Sequence, residues 1–239
     1  MVVIGALLAY TEPTVAALTE ARSQAELLFR ALGIGSSVSL TLHVVSLAFN
    51  LLLPLVGAVY AISVSALLMA ALVESGEMAH FLAAPKSRAA IVRTQATAVL
   101  LGVLVIVGLP LAATIVGALL MHPDALNLDG ILAAFGGLCA LVLCMACFGL
   151  MVSCLMDTAR AARRRSGLWV GLFFVAWMLS RSGAMLQYLA YVTPFTFYQP
   201  ERLALLRPEA WVGAGALLAL GVGCLVYGTV RFSGRDLPL

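Results

Sequence analysis

Residues 44–73 read VVSLAFNLLLPLVGAVYAISVSALLMAALV, a run of thirty residues without an Asp, Glu, Lys or Arg. About 20 apolar helical residues cross the hydrocarbon core of a bilayer, so this run is long enough to span a membrane with tilt. Asn50 and Pro54 lie within it and can kink the helix. Residues 74–93, ESGEMAHFLAAPKSRAAIVR, then bring two acids, a histidine, a lysine and two arginines. A membrane span followed by a short polar segment is therefore the unit from which we predict the fold.

The composition of the whole chain agrees with this unit. Of the 239 residues, 63% are hydrophobic and only 10% are charged, whereas about a quarter of the residues in a soluble domain are charged. We therefore predict an all-α polytopic membrane protein with a single transmembrane domain, residues 1–239. The formal net charge of +3 is too small to indicate a nucleic-acid partner.

Six apolar runs are predicted to form about six spans. The first is incomplete, because ten helical residues rise only about 15 Å; either the chain starts within this span or its start is placed late. Residues 180–209 are mixed, and their aromatic residues and prolines favour an interfacial or re-entrant segment. The predicted spans are 1–10 (partial), 44–73, 94–121, 131–156, 168–190 and 210–230.

The distribution of Lys and Arg predicts the orientation in the membrane. Nine of these residues fall on the side that holds residues 74–93, a basic loop at 157–167 and the C-terminal end, against five on the other side. The first side is predicted to be cytoplasmic, and residues 11–42 and 180–209 are predicted to lie outside. The nine are Lys86, Arg88, Arg93, Arg160, Arg163, Arg164, Arg165, Arg231 and Arg235; the five are Arg22, Arg30, Arg181, Arg202 and Arg207.

The polar stretch begins with a predicted amphipathic helix at residues 74–86. Met78, Phe81 and Leu82 recur at helical spacing and form one apolar stripe. Glu74 and Glu77 fall in its first turn, where acids suit the helix dipole. The pattern predicts a short helix that lies along the cytoplasmic face of the membrane.

A sharp turn follows this predicted helix. Pro85 ends it, and Ser87 is placed to cap the next helix, which runs into the third span. The segment is either an interfacial anchor that lets Lys86 and Arg88 reach the headgroups, or a docking element for a cytoplasmic partner. The residues alone favour the two interpretations about equally.

The sequence holds no motif for an energy source or for catalysis. The nucleotide-binding pattern GxxxxGK[ST] is absent, and Lys86 is the only lysine, so we expect no cofactor in this chain. The isolated His43, His80 and His122 indicate no metal site. All five cysteines lie in apolar segments. Cys144 and Cys147 have CxxC spacing, but they lie inside a predicted span without a partner pair, which favours buried packing.

The centres of the second, third, fourth and sixth runs carry no Asp, Glu, Lys or Arg. Ion-coupled transporters and proton pumps generally need such residues at the midplane. Energy for any transport would therefore come from a source other than these spans. Asn50, Ser63 and Gln95 are the mid-span polar residues that we assign to a substrate path, although helix–helix hydrogen bonding is their more common role.

Three motifs in the right order resemble ABC-2-type permeases, the membrane subunits of ABC exporters. Residues 7–13 and 17–33, LLAYTEP and ALTEARSQAELLFRALG, also resemble the branch of multidrug and polyketide-antibiotic export permeases. The polar stretch resembles E-x-G-x(5)-L-[AS]-x-P-x-S-R, residues 193–200 resemble SPF-x-x-Y-x-P, and the ending resembles F-x-R-R-D-L. The matching residues are Glu74, Gly76, Leu82, Ala83, Pro85, Ser87 and Arg88; Thr193, Pro194, Phe195, Tyr198 and Pro200; and Arg231, Phe232, Gly234, Arg235, Asp236 and Leu237.

The resemblance implies a six-span fold that pairs with a second copy or a homologous permease, each half docked on an ABC ATPase subunit that binds ATP and Mg²⁺. It also implies export of a hydrophobic small molecule across the cytoplasmic (inner) membrane of a prokaryote, and contact with membrane lipid. The outer re-entrant segment would act as a gate through Pro194, Phe195, Tyr198 and Pro200. The implied coupling helix, which docks on the ATPase, comprises Glu74, Gly76, Glu77, Met78, Phe81, Leu82, Pro85, Lys86, Ser87 and Arg88.

Other functions stay open. An ion-coupled secondary transporter would follow an ion gradient without ATP, and a membrane-embedded lipid enzyme would need convergent acids, histidines or a nucleophile near one interface. Among ABC exporters, a heme-exporter-like or bacteriocin-immunity permease also fits. We expect the chain to be a transport subunit rather than an enzyme.

Overall fold

A computed structural model describes residues 45–78, 87–121, 127–182 and 184–234 of the protein. The predicted first span and the polar segment after it lie outside these residues, and so do residues 79–86, the C-terminal part of the predicted coupling helix 74–86.

Every regular element in the described residues is helical, which confirms the all-α prediction. The first helix, α1, runs without a break from Val45 to Glu74, with π-helical turns at Val45–Leu52 and Ala66–Ala70. Pro54 has no N–H to give to the preceding turn, and the π-helical Val45–Leu52 ends just before it. The other helices are α2 Arg88–Met121, α3 Leu128–Leu155, α4 Ala159–Ser182, α5 Pro200–Ala204 and α6 Pro208–Ser233, with 3₁₀ helices at Ala184–Val192 and Pro194–Phe197.

Four of these helices are long and apolar enough to cross a membrane, within α1, α2, α3 and α6. This finding confirms a polytopic membrane protein. The central helix is α3, because 72% of its most apolar stretch is buried against at most 33% in the other three.

Helix α4 differs from its predicted bounds. It begins at Ala159, nine residues before the predicted Leu168, and α-helix gives way to a 3₁₀ helix after Ser182. The basic loop expected at 157–167 is therefore mostly helical. Ala and Arg are strong helix formers, and the hydroxyl of Thr158 accepts a hydrogen bond from the Ala161 N–H at 3.3 Å, which supports the first turn.

Helices α1 and α3 run parallel. The rings of Phe49 and Phe135 meet edge to face with centroids 4.6 Å apart, and the Ser65 hydroxyl donates to the Ala146 carbonyl at 3.2 Å. The side chain of Ser65 also packs against Gly149. Residue numbers thus rise together along both helices.

Helices α3 and α6 are also parallel, and they approach closely at glycines. A Cβ on Gly221 would lie 3.2 Å from the Cα of Cys144, and one on Gly228 would lie 2.9 Å from the Cα of Met151. Both pairs differ by 77 in number, so the register is constant over two turns. The core of the bundle is therefore a row of three parallel helices, with α3 between α1 and α6.

Helices α2 and α4 run antiparallel to α1. Tyr60 packs on Gly102, and these residues lie equally far from Glu74 and Arg88, where the two helices end and begin. Ala66 and Ala70 of α1 cluster with alanines at the start of α4, whereas Pro54 shares a small cavity with Phe174 farther along it.

These directions place the helix termini in two groups. Following the predicted orientation, we call one group the inner end, and it holds Glu74, Arg88, Leu155, Ala159 and Ser233. We call the other group the outer end, and it holds the start of α1, the start of α3 and everything between α4 and α6. Among the described residues, seven arginines lie at the inner end and three at the outer end. The seven are Arg88, Arg93, Arg160, Arg163, Arg164, Arg165 and Arg231; the three are Arg181, Arg202 and Arg207.

Candidate functional site

At the inner end, Gly76 turns the chain out of α1. The Ser75 N–H donates to the Ala71 carbonyl at 2.9 Å and the Gly76 N–H to the Val73 carbonyl at 3.2 Å. Gly76 then adopts φ 76°, a left-handed conformation that glycine populates readily. A Cβ at this position would meet nothing within 4 Å. The conformation of the backbone, and not crowding, is therefore the reason for a glycine here.

Glu74 occupies a different position from the one predicted. It is the last residue of α1, not the first turn of a separate helix, because the apolar run continues in helical conformation up to it. Its carboxylate Oε2 accepts a hydrogen bond from the Ala159 N–H at 2.8 Å. Ala159 is the first residue of α4, where unbonded N–H groups and the helix dipole attract an anion. Glu74 therefore ties the end of α1 to the start of α4.

Met78 is also placed differently from the prediction. It was expected on a docking face, but it is 0% exposed and belongs to the main hydrophobic core. A flexible thioether chain fills core gaps readily, which explains why the bundle takes it up. Glu77, by contrast, is exposed. The predicted docking residues Phe81, Leu82, Pro85 and Lys86 lie outside the described residues.

The start of α2 follows the predicted pattern. The Ser87 hydroxyl accepts a hydrogen bond from the Ala90 N–H at 3.3 Å, which confirms Ser87 as the N-terminal cap. Ser87 is exposed and Arg88 is half-buried. The exposed predicted docking residues at this end are Glu74, Gly76, Glu77 and Ser87.

At the outer end, the segment between α4 and α6 is anchored by Thr193 and Phe195. The Thr193 hydroxyl donates to the Phe173 carbonyl at 2.9 Å and accepts from the Phe195 N–H at 3.2 Å. The Phe195 ring packs edge to face on Phe174 at 5.5 Å and lies 6.3 Å from Trp177. This cluster fixes the segment against α4.

Two hydrogen bonds fix the same segment against α1. The Tyr198 hydroxyl donates to the Phe49 carbonyl at 3.2 Å, and the Asn50 amide donates to Glu201 Oε1 at 3.3 Å. Tyr198 is only 3% exposed, and burial raises the pKa of its phenol well above the ordinary value, so it remains a donor. The predicted gate residues Pro194, Phe195, Tyr198 and Pro200 thus lie in one structural unit.

A polar cavity of about 320 Å³ opens beside this unit. Its lining includes Asn50, Arg181 and Glu201 together with Trp177. The Arg181 guanidinium lies over the Trp177 ring, 4.9 Å from its centroid. Arg181 was not paired with Glu201 in the sequence-based predictions. Two signals could have suggested the pair: the arginine lies at the end of one apolar run, and the acid lies before the next.

The three residues assigned to a substrate path are not brought together. Asn50 is buried near the outer end, Ser63 is exposed on α1, and Gln95 is half-buried near the start of α2. Thirteen residues separate Asn50 from Ser63, roughly 20 Å along a helix. In the part of the chain that the structure describes, no three His, Cys, Asp or Glu side chains form a group that could hold a metal ion.

The comparison with protein families covers almost the whole chain. The family described as ABC-2 family transporter protein matches residues 1–237, and no curated protein matches the sequence. Membership implies a transport subunit whose ATPase is a partner chain. Four helices are long and apolar enough to cross a membrane, and the family match covers residues 1–237. The chain therefore belongs to the ABC-2 transporter family.

Proposed function

We propose that the chain is the permease subunit of an ATP-driven exporter that moves an amphiphilic or hydrophobic compound out of the cytoplasm. A separate ABC ATPase binds ATP and Mg²⁺, and a second permease, identical or homologous, completes the pathway. The assembly lies in the cytoplasmic membrane of a prokaryote. The observation that carries this proposal is the family match over residues 1–237. The hydrogen bond between Glu74 and the Ala159 N–H at 2.8 Å, at the start of the predicted docking stretch, supports its coupling step.

This bond supports a route for mechanical coupling. The docking stretch leaves α1 at Gly76, two residues after Glu74. Because Glu74 binds the first residue of α4, a displacement of the stretch acts on α1 and α4 together. Ser87 begins α2 on the far side of the stretch. An ATPase that moves this segment therefore acts directly on three helices of the bundle.

The docking surface in this proposal combines exposed described residues with sequence-predicted ones. Glu77 and Ser87 are exposed and Arg88 is half-buried; the sequence adds Phe81, Leu82, Pro85 and Lys86. Met78 stabilises the base of the stretch from within the core.

The apolar character of the helices supports a hydrophobic or amphiphilic cargo. Helices α1 and α3 carry acids only in their end turns, at Glu74 and Asp129. Without a charged midplane, an ion-coupled mechanism lacks its usual binding groups. Export that persists when the ion gradient is collapsed and stops when ATP is depleted supports the proposal, whereas the reverse supports a secondary transporter.

The docking role is tested by co-expression with the partner ABC ATPase. Glu77→Lys combined with Arg88→Glu reverses two charges that a groove would recognise, and we expect ATPase co-purification to fall by roughly tenfold. Glu209→Lys, an exposed acid at the outer end, is the matched control and should leave co-purification unchanged. Full retention of the ATPase by the double variant would refute the docking role.

A further inference from the structure

The outer cavity contains an arginine that is not matched by an acid in contact. Arg181 is half-buried and lines the cavity of about 320 Å³. No acid among the described residues forms a salt bridge with Arg181, whereas Arg202 pairs with Glu209 at 3.8 Å. The Arg181 guanidinium lies over the Trp177 ring, 4.9 Å from its centroid. Stacking on a ring leaves the N–H donors at the edge of the guanidinium available in its plane.

Glu201 does not neutralise Arg181 by contact. Its Oε1 accepts the hydrogen bond from Asn50, which holds the carboxylate toward α1. Glu201 acts on Arg181 electrostatically but lies beyond salt-bridge distance. Arg202 also lines the cavity, but its charge is paired with Glu209. Arg181 is therefore the cation of the lining whose N–H donors are available to an anionic group inside the cavity.

The position of the cavity indicates the kind of molecule that carries this group. It lies at the outer end of α1 and α4. In the 3₁₀ helix Ala184–Val192 beside it, Tyr188 is 73% exposed, Tyr191 88% and Val192 65%. Exposed aromatic residues of this kind typically lie at the headgroup level of a membrane. A cavity near 300 Å³ is at the lower end of small-ligand sites, which suits a head group and not a whole lipid.

We propose that this cavity binds the acidic head group of an amphiphile, with its phosphate or carboxylate held by the Arg181 guanidinium. The fork geometry of arginine suits two-point hydrogen bonding to either group. Trp177 holds the guanidinium in place, and Asn50 keeps Glu201 away from the anion. The site needs neither ATP nor a partner subunit, so its test is independent of the proposed function.

Binding is measured on the full chain purified in an uncharged detergent, with dihexanoyl phosphatidylglycerol as the probe. We expect Arg181→Gln to weaken binding by about tenfold or more, since hydrogen bonds to charged groups are lost, and Arg181→Lys to weaken it less. Arg207→Gln removes an exposed arginine at the same end that does not line the cavity, and it should leave affinity unchanged. Glu201→Gln keeps an acceptor for Asn50 and removes the opposing charge, so binding should tighten severalfold.

Two further probes separate the possible ligands. Inorganic phosphate that binds as tightly as the lipid would overturn the amphiphile, and dihexanoylglycerol that binds as tightly would overturn the acidic group. Unchanged affinity in Arg181→Gln overturns the site itself. If that variant does not fold, Glu201→Gln decides, because an affinity that fails to rise contradicts an anion in this cavity.

Discussion

At the scale of single residues, the inner end depends on Glu74 and Gly76. A carboxylate at the C-terminal end of its own helix faces the negative end of the dipole, so Glu74 is unfavourable for α1 alone. The N-terminus of α4 compensates, because Glu74 Oε2 lies 2.8 Å from the Ala159 N–H. Gly76 then directs the chain away at φ 76°. The two residues together set where the bundle ends and where the proposed docking stretch begins.

Glu74→Ala removes this inter-helix cap, and we expect a loss of about 1 kcal/mol in the free energy of unfolding, as for other N-terminal caps. Glu74→Gln retains an oxygen acceptor and should lose less. The measurement is unfolding of the purified chain in detergent, with Glu77→Ala, an exposed acid in the same turn, as control. Equal stability of Glu74→Ala and Glu77→Ala would contradict a capping role.

At the scale of the helices, close backbone contact holds α6 on α3. Gly221 and Gly228 face Cys144 and Met151 at one register, seven residues apart. Small residues let transmembrane helices approach, since lipid supplies no hydrophobic force between them. Gly215 and Gly223 of α6, by contrast, have open space around them. The contribution of a glycine to the packing of α6 on α3 therefore depends on which face of α6 it occupies.

Gly228→Ala places a methyl group 2.9 Å from the Cα of Met151. This contact atom belongs to the backbone, which can move away only at a substantial cost in free energy. We expect a destabilisation of about 1–3 kcal/mol, typical of overpacking. Gly223→Ala on the same helix should not destabilise the protein. Both are compared by thermal unfolding in detergent, and a Gly228→Ala protein as stable as Gly223→Ala would show that α3 and α6 do not pack at this register.

At the scale of the whole molecule, the two ends differ in charge and in structure. Seven arginines lie at the inner end against three at the outer end of the described bundle, which predicts a cytoplasmic inner end. The outer end instead holds the buried Tyr198, the Asn50–Glu201 hydrogen bond and the polar cavity. This asymmetry suits a protein whose two faces meet different partners.

Labelling of intact cells with a membrane-impermeant maleimide tests this orientation. Glu209→Cys, exposed at the outer end, should react in intact cells, whereas Glu77→Cys should react only after the membrane is permeabilised. The parent chain is the control, since its five cysteines are buried or half-buried. Labelling of Glu77→Cys in intact cells would reverse the assignment.

Part of this protein's structure could be predicted from local patterns in the sequence. Hydropathy over 44–73 and the runs after it predicted the helices, Ser87 was recognised as a cap from its place before α2, and the arginine count predicted the two sides. These properties depend on neighbours along the chain. Even so, the start of α4 was placed nine residues late, because arginine was taken as a loop signal although it is a strong helix former.

Only the tertiary structure decided which residues meet. Helices that are apolar all round give no periodic stripe, so the sequence could not show that α1, α3 and α6 run in one parallel row. The stripe that contains Met78 was visible in the sequence, but not that Met78 packs into the core. The bond from Glu74 to Ala159 joins residues 85 positions apart, and that from Asn50 to Glu201 joins residues 151 apart. Such pairs form because packing fixes the ends of separate helices against each other. The sequence by itself determined that this chain crosses a membrane, and it predicted which side faces inward; packing decided where its polar residues converge.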